Sequence, residues 1–151
     1  MPVFKDNDWA TFTPDPTDAD WHIFEARETE NFHGLIGPLQ VRRAGASAIV
    51  RLQPRPDLLN PGRHVHGGAL LALVDLAIFP AIMMLEVDPA RGVTLDVSTH
   101  FVTAANGEQP LDVAIELTNE TRRMAFLRGT IEQAGAVVLT FMAIIRKIPA
   151  R

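Results

Sequence analysis

The feature that most constrains this chain is an apolar segment, residues 67–85, with a single carboxylate, Asp75, near its middle. Two glycines, Gly67 and Gly68, open the segment directly after a histidine. Apolar residues would surround a helix here almost completely, so both sides of that helix must be covered. Because an aspartate is costly to bury without a partner, Asp75 is either a hydrogen-bonded structural residue or a functional one.

A segment of this length raises the question of a membrane span. Asp75 at its centre would cost about 2.5–3.5 kcal/mol on the insertion scale, and Pro80 would weaken the helix further. Most of the remaining chain has the alternating pattern of amphipathic strands, which need an apolar surface to cover. We therefore expect a buried core helix and no membrane partner, with a kink or an early end near Phe79 caused by the proline ring.

Composition limits the class of protein further. The 151 residues are 47% hydrophobic and 21% charged, which is typical of one globular domain. A net charge of −4 argues against a nucleic-acid partner. The chain has no cysteine, which excludes a disulfide framework, thiolate catalysis and a zinc ribbon, and fits a reducing compartment. The first residues lack a signal-peptide pattern, so we expect a cytoplasmic protein.

The segments around the helix predict two parts. Residues 1–34 are expected to form an N-terminal extension, irregular or partly helical, with a short helix near residues 18–26. Residues 35–151 are expected to form the main domain, in which a turn at Ala44-Gly45 joins the first two strands and a proline-rich loop precedes the helix. The predicted strands are 35–41, 47–53, 92–102, 111–117, 124–131 and 137–147.

This order of elements predicts an α+β protein with the hotdog fold, in which an antiparallel sheet wraps around a long central helix. One sheet covers the helix on one side only, so a helix that is apolar on all sides predicts a second subunit. Strand 137–147 is apolar on both faces and is expected inside the sheet. On strand 92–102, strict alternation places Thr94 and Val97 on opposite faces.

The start of the helix points to acyl chemistry. Its first amide groups have no partners within the helix and lie at the positive end of the dipole, which suits a polarised carbonyl or an oxyanion. Close packing is the alternative reading for Gly67 and Gly68, and capping is the alternative for His66. His64 and His66 form a His-x-His pair, but no third ligand follows at a suitable spacing, so we expect no metal.

These residues resemble the PaaI-like acyl-CoA thioesterases of the hotdog superfamily. The resemblance rests on Asn60, His66-Gly67-Gly68, Asp75 and the run 92–97, and it covers residues 35–147. It implies an enzyme that hydrolyses acyl-CoA thioesters without a cofactor, since coenzyme A is part of the substrate. It also implies a homodimer, or a homotetramer made of two dimers, with the active site between subunits.

The resemblance further implies a role for each matching catalytic position. The backbone N–H of Gly67 would polarise the thioester carbonyl. Asp75 of the other subunit would act as general base on water or as direct nucleophile. Asn60 and His66 would orient the thioester or the water, and Thr94 would hold the attacking water.

Four residues are candidates for substrate binding: Gly68, Phe79, Arg122 and Arg123. The two arginines lie at a predicted hairpin, where they either meet the phosphates of coenzyme A or are simply solvated. Phe79 either lines an acyl pocket or packs in the core. Phe79-Pro80 also departs from the family pattern, because some relatives carry a small hydroxyl residue there. The acyl group itself stays open, since a chain without tyrosine supports no aromatic cage.

Two other functions stay open at this point. A hydroxyacyl thioester dehydratase or hydratase would use a histidine and a carboxylate together, for which His66 and Asp75 are the candidates. A non-catalytic protein that binds acyl-CoA would use the same fold, and the Phe79-Pro80 departure together with the N-terminal extension favours it.

Overall fold

The computed structural model describes residues 9–88 and 92–148, which form one sheet and one long helix. The helices within these residues are α1 (Phe32–Ile36) and α2 (Gly67–Met84), and a single 3₁₀ turn spans Pro56–Leu58. The strands are β1 (Ala10–Pro14), β2 (His22–Ala26), β3 (Leu39–Ala44), β4 (Ser47–Leu52), β5 (Val93–Phe101), β6 (Leu111–Glu120), β7 (Met124–Gln133) and β8 (Ala136–Arg146).

The strands form one antiparallel sheet in the order β1-β2-β3-β4-β6-β7-β8-β5. Helix α2 contacts β3, β4 and β6, and it also contacts β5 at the edge. Five strand spacings separate β3 from β5, about 24 Å in a flat sheet, whereas a helix is only about 10–12 Å wide. The sheet therefore curves around α2, and the predicted hotdog arrangement is confirmed.

Helix α2 forms the centre of the core, and twelve of its 18 residues are buried. It is long and apolar enough to cross a membrane, yet 67% of that stretch is buried against the rest of the chain. The helix continues through Pro80 to Met84, so of the kink or early end expected near Phe79 the early end is wrong, and the kink stays a prediction. Residues 81–84 are all buried. Burial of three large side chains among them, at about 1.5–3 kcal/mol each, outweighs the roughly 3 kcal/mol cost of a mid-helix proline.

The N-terminal extension contains two strands, and β2 lies within the residues where a short helix was predicted near 18–26, so that helix prediction is wrong. Strands β1 and β2 form a hairpin, and β2 pairs with β3, so the hairpin extends the sheet. The Trp21 ring lies 5.0 Å from the guanidinium of Arg42 and 4.6 Å from that of Arg51. Pairing with the sheet thus outweighs a weak local helix signal. The predicted domain boundary at residue 35 stays a prediction.

The first predicted strand, 35–41, is also wrong at its start. Residues 32–36 form α1 instead, because Asn31 caps it by accepting a hydrogen bond from the amide of Gly34 at 3.2 Å. Elsewhere the strand predictions are confirmed, and the four strands after α2 end within three residues of their predicted bounds. Strand β8 lies between β7 and β5, inside the sheet as expected.

A bulge in β5 decides which of its side chains face α2. The register with β8 shifts between Thr94 and Asp96, so one strand position carries an extra residue. Thr94 lies opposite Ile145 and Val97 lies opposite Ala143, and both partners are buried on the helix side. Thr94 and Val97 therefore share a face, and the strict alternation predicted for this strand is wrong. The bulge directs the Thr94 hydroxyl towards α2.

Candidate active site

The first amide of α2 is available to a ligand. Gly67 is the first helical residue, and no acceptor within residues 9–88 and 92–148 takes its N–H. A Cβ built on Gly67 would lie 3.5 Å from the Phe101 ring, which is ordinary van der Waals contact. A side chain would therefore fit at position 67, so close packing alone does not explain the glycine. The free N–H at the positive end of α2 can donate to a carbonyl oxygen.

His66 is the N-cap of α2. Its Nδ1 accepts a hydrogen bond from the amide of Gly68 at 2.8 Å, and its own amide donates to the carbonyl of Leu58 at 2.8 Å. A ring nitrogen that accepts from an amide carries no proton, so the proton of the neutral ring lies on Nε2. The Gly68 amide is already occupied, which leaves Gly67 as the free donor of the pair.

Asn60 lies in a tight loop beside the helix start. The Asn60 side-chain Oδ1 accepts a hydrogen bond from the backbone N–H of His64 at 3.1 Å, and the backbone N–H of Asn60 donates to the His64 carbonyl oxygen at 2.8 Å. A surface cavity of about 320 Å³ brings this loop together with Gly67. The other lining residues are Val65, Leu70, Phe101, Val102, Thr103, Ala104 and Ala105. The structure thus places Asn60, His64 and Gly67 around one opening, with an apolar wall opposite.

Asp75 and Thr94 form a second group. The Thr94 hydroxyl donates to Asp75 Oδ1 at 2.7 Å. Asp75 is exposed on the open side of α2, and none of the ion pairs found in residues 9–88 and 92–148 includes it. Within the described residues Asp75 is neither buried against a backbone amide nor paired with an arginine, and the alternative of an arginine across an interface stays open. One carboxylate oxygen is held by Thr94.

The two groups are separate within one chain. Gly67 and Asp75 lie eight residues apart on α2, about 12 Å along the helix axis at 1.5 Å per residue. The N–H of Gly67 also points towards the helix N-terminus, away from Asp75. A single carbonyl bound at Gly67 is therefore out of reach of the carboxylate of the same chain.

Phe79 lies one turn beyond Asp75 on the same side of α2. Its ring is half-buried and packs against the hydrophobic core. Of the two readings of Phe79, the contacts of one chain give core packing, and an acyl-pocket role stays a prediction.

Arg122 and Arg123 follow β6 and belong to a cationic depression in the surface. The depression has a volume of about 370 Å³ and is lined by Arg122, Arg123, Arg146, Lys147 and Ile148. We call this group the basic hollow. Because Arg146 pairs with Val93, the neighbour of Thr94, the basic hollow lies at the same end of β5 as Asp75.

The structure adds three residues that the sequence did not identify as site residues. Phe101 is 55% exposed beside Gly67, Leu71 is 41% exposed midway between Gly67 and Asp75, and Arg146 joins the basic hollow. The sequence pattern does not distinguish an exposed phenylalanine or leucine from a core residue. Whether such a side chain is exposed depends on which strand forms the unpaired edge of the sheet. In the described chain, no cluster of three His, Asp or Glu residues is arranged to hold a metal ion.

A sheet curved around one helix that begins with a free amide defines a hotdog-fold protein with a site at the helix start. Residues 55–146, more than half of the chain, match the family of acyl-CoA thioesterase N-terminal domains. The chain belongs to this family, and the predicted assignment to the hotdog-fold acyl-CoA thioesterases is confirmed. No curated protein matches the chain in sequence.

Several solved structures share the fold. A mutant of the phenylacetic acid degradation protein PaaI from Thermus thermophilus is 24% identical, with TM-score 0.64 over 78% of this chain and 98% of that one. A hypothetical thioesterase from Streptococcus pneumoniae, solved with coenzyme A, is 21% identical, with TM-score 0.65 over 75% and 88%. Thioesterase superfamily member 2 from Mus musculus is 17% identical, with TM-score 0.63 over 73% and 82%. At these identities the likeness shows the fold.

The cap at His66 yields a test that separates a capping role from a catalytic one. Asparagine is a strong N-cap residue, so His66→Asn should keep the free energy of unfolding, whereas His66→Ala should lower it by about 1 kcal/mol. Urea unfolding of the three proteins measures this difference. If His66 only caps, His66→Asn also keeps its rate of thioester hydrolysis. A fully folded but inactive His66→Asn would contradict the capping role and return His66 to the chemistry.

Proposed function

We propose that this protein is a cytoplasmic enzyme that hydrolyses acyl-CoA thioesters at a site completed by a second copy of the chain. The observation that carries the proposal is the division of the site into two groups on one helix. Gly67 with Asn60 can bind a carbonyl, and Asp75 with Thr94 can activate water, but about 12 Å of helix separates them. A second copy in the opposite orientation supplies the missing group to each.

The chemistry follows from these groups. The Gly67 amide stabilises the oxyanion that forms when water attacks the thioester carbonyl, an effect of about 2.7–4 kcal/mol for one donor. Asp75 of the partner takes the proton from that water, and Thr94 holds the carboxylate through the 2.7 Å hydrogen bond. The carbon–sulfur bond then breaks, the proton held by Asp75 passes to the sulfur, and coenzyme A leaves as a thiol while the acyl group leaves as the carboxylic acid. We assign Asp75 as general base, since one of its oxygens stays free of Thr94.

The required symmetry can be read from α2. A twofold axis that brings Asp75 of one chain to Gly67 of the other must pass close to the residue midway between them, Leu71. Leu71 is one of the exposed residues of this buried helix, at 41% exposure. An apolar side chain at that point can pack against its own symmetry mate.

The same axis can also be located on strand β5. Gly67 lies against Phe101, and Asp75 is bonded to Thr94, so the twofold that joins Gly67 to Asp75 also brings Thr94 to Phe101. The twofold axis then crosses β5 midway between Thr94 and Phe101, which is between Val97 and Ser98. Strand β5 is the edge of the sheet, with β8 as its neighbour on one side, and a nine-residue open edge is suited to antiparallel pairing with a second copy. Further pairing of two dimers stays a prediction.

The rival functions gain less support. A dehydratase would use the His66 ring together with the carboxylate, and Nδ1 of His66 is committed to the Gly68 amide, which leaves only Nε2 for such chemistry. A non-catalytic acyl-CoA-binding protein remains an outcome of the test that follows. The Streptococcus pneumoniae protein that shares the fold was solved with coenzyme A, which favours a ligand of this class.

Removal of the carboxylate is the direct test of the reaction. Asp75→Asn should lower kcat for acyl-CoA hydrolysis by about 10²–10⁴-fold, because the amide cannot take a proton from water. Thiol release from a panel of short, long and aromatic acyl-CoAs measures the effect and ranks the acyl groups. Asp20→Asn, the same change at an exposed aspartate outside the site, is the matched control. Full activity in Asp75→Asn would discard the mechanism, and no thiol release by the wild type would favour the binding protein.

The position of the axis can be tested separately from activity. The chain has no cysteine, so Leu71→Cys introduces a single thiol at the proposed twofold, where two copies should lie close enough for a disulfide. Mild oxidation should convert this variant into a covalent dimer on a non-reducing gel. Leu35→Cys on α1, a leucine of similar exposure at 47%, should remain a monomer on the gel. Equal cross-linking of both variants, or of neither, would place the axis elsewhere.

A further inference from the structure

The register between β5 and β8 places the proposed twofold axis on one residue of β5. The axis exchanges Thr94 and Phe101, and the stretch of β8 opposite them, 139–145, pairs with β5 at every residue. The middle residue of that stretch is Met142, which lies opposite Ser98. A count along β5 alone includes the extra residue of the bulge and so falls just before Ser98. In space the axis therefore crosses β5 at Ser98.

Three exposed side chains lie along β5 on the sheet face that points away from α2: Asp96, Ser98 and His100. Met142, the partner of Ser98, is 67% exposed, whereas the residues on either side of it are buried against the helix. Asp96 and His100 lie opposite residues that are each two positions from Met142, so they share its face. The three side chains therefore form a row with Ser98 at its centre.

A twofold axis at Ser98 brings His100 of one chain opposite Asp96 of the other. With the bulge counted as a single position, Asp96 lies two positions before Ser98 and His100 lies two positions after it. A twofold axis aligns residues at equal distances on its two sides, so this contact forms twice in a dimer. Opposed Cβ atoms in an antiparallel pair lie about 4.5–5.5 Å apart, which brings an imidazole within hydrogen-bonding reach of a carboxylate.

Both side chains are available for a contact between chains. None of the ion pairs found within residues 9–88 and 92–148 includes Asp96 or His100. The charged residues that line a depression of about 570 Å³ together with His100 are Glu116, Arg128 and Glu132. Arg128 is paired with Glu116, and no cation of the described chain is paired with Asp96. A carboxylate from the partner thus meets a histidine that its own chain leaves without an ion pair.

The register of the two β5 strands decides whether the active sites form. A slip by one residue turns every side chain to the opposite face. A slip by two keeps the faces but moves Asp75 about 7 Å away from Gly67 of the partner. After such a slip Ser98 stands opposite either Asp96 or His100, and both contacts between histidine and aspartate are lost. The contacts therefore form only in the register that aligns the two halves of each site.

We propose that paired His100–Asp96 contacts across β5 select a second copy of this chain and hold it in the register that completes both active sites. The contacts rest on the proposed function, since Gly67 and Asp75 define the axis. A second copy is the matching partner because one edge carries both members of the pair at equal distances from the axis. An edge with a different spacing of charges would leave one member of each pair unmatched.

Exchange of the two residues tests the contact with the same side chains in reversed positions. His100→Asp opposes two aspartates and Asp96→His opposes two histidines. Each should raise the Kd of the dimer about tenfold at pH 6, where a histidine ring is largely protonated. The variant with both changes restores both contacts and should return Kd close to the wild-type value. Analytical ultracentrifugation measures Kd, and Asp20→His, a change at an exposed aspartate outside the row, should leave it unchanged.

Two results of this exchange would overturn the proposed contact. One is a pair of single variants that dimerise as tightly as the wild type. The other is an exchanged variant that dimerises no more tightly than either single variant, because rescue is what distinguishes a direct contact from two separate effects on the edge.

Cysteine cross-linking measures the register itself in this cysteine-free chain. Ser98→Cys should give a covalent dimer on mild oxidation, because the two copies lie opposite each other with Cα atoms about 4.5–5.5 Å apart. His100→Cys alone should stay monomeric on a non-reducing gel, since its two copies are about 13 Å apart along the strands. His100→Cys combined with Asp96→Cys should cross-link again. No cross-link in Ser98→Cys, or a cross-link in His100→Cys alone, would overturn the register.

Neither measurement requires hydrolysis, so the contact and the proposed function fail separately. Rescue by exchange together with the Ser98→Cys cross-link, but without thiol release from any acyl-CoA, would support the contact and contradict the thioesterase. Hydrolysis that depends on Asp75, without rescue by exchange, would keep the thioesterase and overturn the contact. A monomeric wild type would overturn both.

Discussion

The rigidity of one helix determines how this protein can work. Helix α2 fixes Gly67 and Asp75 two turns apart and directs the free amide away from the carboxylate. Side-chain rotation cannot close a gap of about 12 Å, so the oxyanion donor and the base of one chain cannot act on the same carbonyl. The chain belongs to a thioesterase family, and the helix geometry supports the proposal that a second copy completes each site.

The rest of the fold leaves this helix covered except where a partner is needed. The sheet contacts α2 through strands as far apart as β3 and β5, and the open side carries Leu71 and Asp75. The β5 bulge turns Thr94 towards Asp75, which holds the carboxylate in position at the open edge. The basic hollow lies at the same end of β5. In the proposed function, the unpaired edge of β5 serves both the assembly of two copies and the positioning of the base.

The sequence predicted the elements whose signals are local and strong. The sequence identified the apolar run of α2, its start at His66-Gly67-Gly68 and the four later strands. These elements are determined by the spacing of apolar residues and by the turn residues at their ends. The β1–β2 hairpin was missed since its strands form only by pairing with β3. The bulge at Thr94 was missed because alternation carries no sign of an inserted residue. Arg146 was missed because only the register of β8 brings it beside Val93.

Co-expression of two inactive variants shows whether each active site is built from two chains, as we propose. Gly67→Pro removes the amide donor at the first helical position, where proline is tolerated, and His66 already has the extended ψ of 137° that a following proline requires. Mixed with Asp75→Asn, random dimers should include half heterodimers, each with one intact site of two. We expect recovery of about one quarter of wild-type activity per chain. No recovery in verified heterodimers would contradict it.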